Sequence, residues 1–149
     1  MKNELTVLTQ LKSCIITHLN NYLPKDLTTI AEDNVVIKWP NVDQMKKRIM
    51  FFIQADYAEY EDLATTNDLS SFHVKIFILC KRGTNSNLVE ESYGYFNALY
   101  ELMRRNMSLD GYVDFVTVTS ADFYPAVDAS ETTTGTEVNL SISYTKDFE

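Results

Sequence analysis

An α+β domain is what this sequence predicts, and three observations predict it. Two segments repeat apolar residues every three to four positions, the period of an amphipathic helix. Several others alternate, or run apolar over five to nine residues, between polar or Gly/Pro breaks. Their order along the chain is α-β-β-β-α-β-β, which favours a mostly antiparallel sheet packed against two helices over a strictly alternating parallel fold.

The first helix places Leu8, Leu11, Ile15, Leu19 and Tyr22 on one arc, and Pro24 ends it. Val35 to Trp39 reads as a strand closed by Pro40. Arg48 to Ala55 is a β-rich run with apolar residues on both parities, so both of its faces are expected to be covered. A 17-residue connection, Ala55 to Ser71, follows with no clear element of its own. In the third strand Phe72, Val74, Ile76, Ile78 and Cys80 share one face, while His73, Lys75, Phe77 and Leu79 share the other.

Asn87, with Glu90 three residues on, reads as the N-terminal cap of the second helix. Leu88, Ser92, Phe96, Leu99 and Met103 form its stripe. Glu90 and Glu91 in the first turn and Arg104 and Arg105 in the last suit the helix dipole. Gly111 releases the chain into a strand from Tyr112 to Thr119, and a loop is expected from Ser120 to Gly135. The last strand alternates, with Val138, Leu140, Ile142 and Tyr144 inward and Glu137, Asn139, Ser141 and Ser143 outward. No repeat or boundary interrupts the 149 residues, so one domain over 1–149 is expected.

Composition narrows the function. Thirteen Lys plus Arg against 21 Asp plus Glu give a net charge of −8, which argues against general nucleic-acid binding or docking on anionic lipid. The longest apolar runs, such as Ile49–Ile53 and Ile76–Cys80, are far below the roughly 20 residues a membrane helix needs. No apolar leader stretch with a small-residue cleavage site opens the chain, so an intracellular protein with Cys14 and Cys80 as buried thiols is expected.

Catalytic patterns are sparse. Cys14 and His18 have the i, i+4 spacing of a ligand pair, but His73 and Cys80 point to opposite faces of one strand, which leaves too few ligands for a metal site. The four glycines are too scattered for a phosphate cradle, and no nucleophile elbow occurs. No catalytic, cofactor-binding or metal-binding residue is therefore expected, and the protein is read as a non-enzyme. A Cys14 or Cys80 thiol paired with a histidine is the rival enzymatic reading.

Charge is unevenly distributed. Between Arg48 and Lys75 the chain has no Lys or Arg, yet holds Asp56, Glu59, Glu61, Asp62 and Asp68. Between Arg105 and Lys146 it holds Asp110, Asp114, Asp122, Asp128, Glu131 and Glu137, again without a base. Basic residues gather at Lys46-Lys47-Arg48, Lys81-Arg82 and Arg104-Arg105. A subunit with an acidic and a basic side is suited to head-to-tail association, which closes a ring when the rotation permits. Interface or channel-facing roles are accordingly expected for Asp56, Tyr57, Glu59, Tyr60, Glu61, Asp62, Asp122, Asp128 and Glu131, the tyrosines because they supply both area and a hydrogen bond.

The helix–strand link Asn106-Met107-Ser108-Leu109-Asp110-Gly111, which continues as Tyr112-Val113-Asp114, and the closing strand Val138-Asn139-Leu140-Ser141-Ile142-Ser143-Tyr144 carry a wider likeness. So do Phe72-His73-Val74-Lys75-Ile76-Phe77 and Tyr95-Phe96-Asn97-Ala98-Leu99-Tyr100. With the N-terminal helix and the element order, these segments make most of the chain similar to the tail terminator (neck or tail-completion) proteins of tailed bacteriophages. The resemblance implies a structural α+β subunit without cofactor or catalysis, forming a ring homo-oligomer, hexameric in kind. The ring would cap the tail tube and contact the tube protein and the head–tail connector protein. DNA would pass its lumen without specific binding, and no membrane would be involved. Its place would be the host cytoplasm during assembly and then the virion. The alternative is a small intracellular α+β module that binds a ligand or protein through a concave apolar pocket.

Overall fold

The computed structural model describes residues 1–83, 87–125 and 132–148. Two α-helices, α1 (Glu4–His18) and α2 (Leu88–Arg105), pack on one face of a five-stranded sheet. The strands are β1 (Val35–Ile37), β2 (Ile49–Ala64), β3 (Asn67–Lys81), β4 (Phe115–Tyr124) and β5 (Thr133–Asp147), in spatial order β1-β2-β3-β5-β4. Every neighbouring pair is antiparallel except β1 with β2. This is the α+β architecture and element order expected from the sequence.

Helix α1 starts on a reciprocal cap. Asn3 Oδ1 accepts from the Thr6 amide at 3.0 Å, and Thr6 Oγ1 accepts from the Asn3 amide at 2.9 Å. The helix gives way to a 3₁₀ turn, Leu19–Tyr22, just before Pro24. At α2, Asn87 Oδ1 accepts from the Glu90 amide at 3.2 Å, so that cap stands where expected. The stripe of α2 is wider than the sequence suggested. It buries Glu91, Tyr95, Ala98 and Leu102 along with Leu88, Ser92, Leu99 and Met103, while Phe96 is half-buried.

The core lies between the helices and the inner sheet face. Phe51 and Ile53 of β2, Phe72 through Cys80 of β3 on even positions, and Val138, Leu140, Ile142 and Tyr144 of β5 line that face. Phe51 meets the Tyr95 ring edge-on at 6.2 Å, and the Tyr95 hydroxyl donates to the Thr28 carbonyl at 2.6 Å. Both faces of β2 are covered at its start, as its apolar parities required. Residues 38–48 cross the outer face between the parallel strands β1 and β2, and Val42 and Met45 pack there on Met50, Phe52 and Leu79.

Four boundaries differ from the sequence reading. The expected strand Val35–Trp39 is only Val35–Ile37, and Trp39 is exposed, with its ring tilted against Phe77 at 6.4 Å. The connection Ala55–Ser71 is no loop. β2 continues to Ala64, turns through Thr65 and Thr66, and pairs back with β3 from Asn67. The strand placed at Tyr112–Thr119 begins instead at Phe115 and runs to Tyr124, inside the expected Ser120–Gly135 loop. β5 likewise begins at Thr133, five residues before Val138.

The late start of β4 has a local cause. Leu109, Asp110 and Gly111 take φ of 50°, 60° and 85°, three consecutive left-handed residues that reverse the chain before it can extend. Two of them carry side chains, so the turn is held from outside. Gln10 donates to the Leu109 carbonyl at 2.9 Å, and the Asp110 amide donates to Asn106 Oδ1 at 3.0 Å.

Candidate functional site

The β2–β3 hairpin runs roughly 50 Å. Its root, where β2 begins and β3 ends, lies under the helices and beside the crossing segment 38–48. Its distal half, which we call the arm, reaches from Ala55 to Ser70. β1 pairs with β2 only from Phe51 to Ile53, so one edge of the arm has no neighbouring strand among the described residues. On the other side β5 follows β3 to the tip, as far as Asn67 opposite Asp147.

A register shift between Ala55 and Tyr57 marks where the arm begins and changes which side chains face outward. Beyond it Tyr57, Glu59 and Glu61 point to the outer face, opposite His73, Ser71 and Leu69. Ala58, Tyr60 and Asp62 take the helix-side face, opposite Phe72, Ser70 and Asp68. Asp56 sits in the shift itself. All six of the predicted residues on this segment (Asp56, Tyr57, Glu59, Tyr60, Glu61 and Asp62) are exposed. Tyr57 stacks flat on the His73 ring at 4.2 Å, and Lys146 lies 5.0 Å over the Tyr60 ring. No ion pair within the described residues engages Asp56, Glu59, Glu61 or Asp62. Asp62 and Asp68 stand opposite each other across the hairpin, a like-charge pair that opposes the pairing.

Asp122 lies elsewhere. It is exposed on β4, at the opposite edge of the sheet, and its register neighbour is Glu137 at the level of Phe77. The arm acids and Asp122 therefore form two separate places. Asp128 and Glu131 fall outside the described residues.

On the outer face near Asp122, Lys75 Nζ meets Glu137 Oε1 at 2.7 Å, and the Tyr124 hydroxyl donates to Glu137 Oε2 at 3.1 Å. The Lys75 hydrogen bond holds the Glu137 carboxyl below its ordinary value. Beside this cluster, an open and mostly apolar cleft of about 310 Å³ is lined by Pro40, Val42, Phe77, Leu79, Tyr124 and Gly135. It sits two residues from the end of β3, where Lys81 pairs with Thr133. Lys46 and Arg82 are exposed at this root end, as is Asp43 on the crossing segment, and none of the three makes an ion pair within the described residues; Lys38 follows Ile37, which pairs with Ile53, and is exposed near the start of the arm. The basic neighbours Lys47 and Arg48 are paired, with Asp33 at 3.2 Å and with Glu91 at 2.6 Å.

Cys14 and His18 do meet a third group that the sequence reading did not place with them. Cys14 donates to Asp110 Oδ2 at 3.3 Å, and His18 Nε2 lies 3.1 Å from both Asp110 oxygens. Asn106 Nδ2 adds a bond to Asp110 Oδ1 at 2.9 Å. The order is thiol–carboxylate–imidazole, so the histidine faces the carboxylate and not the sulfur. Burial, then the hydrogen bond to Asp110 and its charge, push the Cys14 thiol up to about 12, the reverse of what a nucleophile needs. Burial does the same to Cys80, also to about 12. The cluster ties α1 to the left-handed turn at Leu109–Gly111. No group of three or more His, Cys, Asp or Glu suited to a metal ion occurs among the described residues.

No helix among the described residues is long and apolar enough to cross a membrane. No known family model matches the chain, and no curated protein is significantly similar to it.

Proposed function

We propose that the chain is a structural assembly subunit of a phage or prophage tail, of the tail-terminator kind. Copies form a ring, hexameric in kind, that caps the tail tube and joins it to the head connector, with no turnover of a substrate. The observation that carries this reading is the open sheet. Among the described residues, β2 beyond Ile53 and β4 beyond Val116, whose amide donates to the Met107 carbonyl at 2.8 Å, have outer edges without a strand partner, and these lie on opposite sides of the sheet. Exposed edges of this length pair readily with other chains, which a ring subunit uses and a monomer must suppress.

Two further observations support it. Both thiols are buried, and burial pushes each up to about 12, which counts against the rival enzymatic reading. The chain's excess of acids suits a lumen through which DNA slides, since an acidic wall repels phosphate where a basic one would hold it.

Deleting the gene from a lysogen tests the role. The expected result is heads and tails that fail to join, or tails of irregular length. Normal infectious particles would overturn it. One observation favours a second reading, a ligand-binding module: the apolar cleft beside Phe77 and Tyr124. That module would elute as a monomer under all conditions and would leave virion assembly intact when deleted.

A further inference from the structure

We infer that the open edge of β4 and the flank of α2 above it form a docking groove for an extended apolar segment that carries Lys or Arg. The segment comes from another protein and joins the sheet as a sixth strand. This goes beyond the assembly role proposed above and does not depend on it.

The groove has an edge and a wall. Beyond Val116 no strand borders β4 on its open side among the described residues, so backbone donors and acceptors there are available to an added strand. Edges that must stay free are guarded by charge, proline or bulges. The arm is guarded in this way, by Asp56, Glu59, Glu61 and Asp62 and by two register shifts. From Phe115 to Ala121, β4 has no charge and no proline, and its single register shift lies between Val118 and Ser120.

The wall is α2, which runs antiparallel to β4. The Val116 amide reaches the Met107 carbonyl just past the helix end, and at the other end of the strand the Phe123 ring lies 5.1 Å from both Tyr93 and Phe96. Val89, Tyr93, Phe96 and Tyr100 follow at i, i+4, i+7 and i+11, a second stripe beside the one buried on the core. Val89, Tyr93, Tyr100 and Phe123 are each about half exposed. Between helix and strand an open cleft of about 190 Å³, lined by Val89, Tyr93, Phe123, Tyr124 and Pro125, has room for an apolar side chain. A strand turns every second side chain to one face, so the segment that fits has apolar residues at alternate positions.

Charge selects what the other positions carry and where the segment comes from. Asp122 is the one charge on β4 and Asp114 just precedes the strand; both are exposed acids without an ion pair among the described residues. Arg104 is exposed at the far end of the aromatic stripe, and Lys81 and Arg82 stand two strands in, across β5. A strand laid directly against β4 therefore has acids as its cross-strand neighbours, which favour Lys or Arg and oppose Asp or Glu. Neither open edge of this chain supplies such a base: the arm carries Asp56, Glu59, Glu61 and Asp62, and β4 carries Asp122. The occupant is a partner's strand and not a second copy.

Three synthetic peptides test it by fluorescence anisotropy on the full chain. The first is Thr-Phe-Lys-Val-Thr-Ile-Lys-Phe with capped ends. The second has Glu for both Lys, and the third is the first N-methylated at two neighbouring central residues, which blocks both of its edges. The first should bind saturably, and the other two at least about tenfold more weakly. Asp122→Lys should reverse the preference between the Lys and Glu peptides, and Tyr93→Ala should weaken binding of the first. Both side chains are exposed, and circular dichroism verifies that the variants fold. Equal binding of the N-methylated peptide, an unchanged preference in Asp122→Lys, or no binding of the first peptide would each overturn the groove. Self-association of the chain alone that Tyr93→Ala abolishes would assign the groove to a second copy and overturn the choice of occupant.

Discussion

One strand, β2, passes through two environments. From Ile49 to Ile53 every residue is buried, with helices on one side and the crossing segment on the other. From Ala55 to Ala64 no residue is buried, on either face. β3 is its hydrogen-bonded partner throughout, while β1 borders it only from Phe51 to Ile53, so what changes is the second neighbouring strand and what lies above and below the sheet. The first half holds the fold together. The second is kept in shape by β3 and gives its faces and one edge to solvent.

Mutations should divide along the same line. The largest effect is expected for Phe51→Ala, which empties a fully buried site against Tyr95 and should cost about 3–5 kcal/mol in urea unfolding. If it costs less than Tyr57→Ala, the division between the two halves is wrong. Arg48→Met comes next. It strands Glu91, whose side chain is 9% exposed, without its guanidinium partner, and should cost about 2–3 kcal/mol, less than a fully buried pair because Arg48 is a third exposed.

The turn at Leu109–Gly111 should show itself through pH. Hydrogen bonds from His18, then Asn106 and Cys14, hold the Asp110 carboxyl below its ordinary value, and Lys75 does the same for Glu137. A depressed folded value contributes stability that is present above the unfolded carboxylate range, about pH 4, and is lost as pH falls through the folded value. The thermal midpoint should therefore drop below about pH 4. Asp110→Asn should lower it at neutral pH and flatten that acid slope, and an unchanged slope would contradict the role given to Asp110.

The smallest effect belongs to the arm. Tyr57→Ala loses a stacked ring on His73 and should cost about 1 kcal/mol or less. A thiol reagent sharpens the comparison from the side of the core: neither Cys14 nor Cys80 should react until the chain unfolds, since both are fully buried. Rapid native-state labelling of either would reopen the enzymatic reading.

These two halves also explain what could be read from the sequence. Period-two alternation appears only where one face is buried and the other is not. It marked Phe72–Cys80 and Val138–Tyr144, whose inward residues are the core of the structure. It could not mark Asp56–Leu63, where only Ala58 packs on the core and Asp, Tyr and Glu otherwise follow one another without a pattern, so the distal half of the hairpin read as a loop. The same holds for Ser120–Tyr124. The acidic windows were visible by counting, but the separation of Asp122 from the arm depends on strand order, which no local signal carries. Asp110 escaped notice as a partner of Cys14 and His18 because it lies more than ninety residues away in the chain. The capping asparagine of α2 was legible, because its partner is three residues away.

The central claim is that this chain works by fitting copies of itself around a cylinder. The most direct measurement is electron microscopy of the purified protein mixed with tail tubes assembled from the same virus's tube protein. The account predicts a collar of uniform diameter on one end of each tube, with further tube growth halted there. Bare tube ends at saturating protein would contradict it.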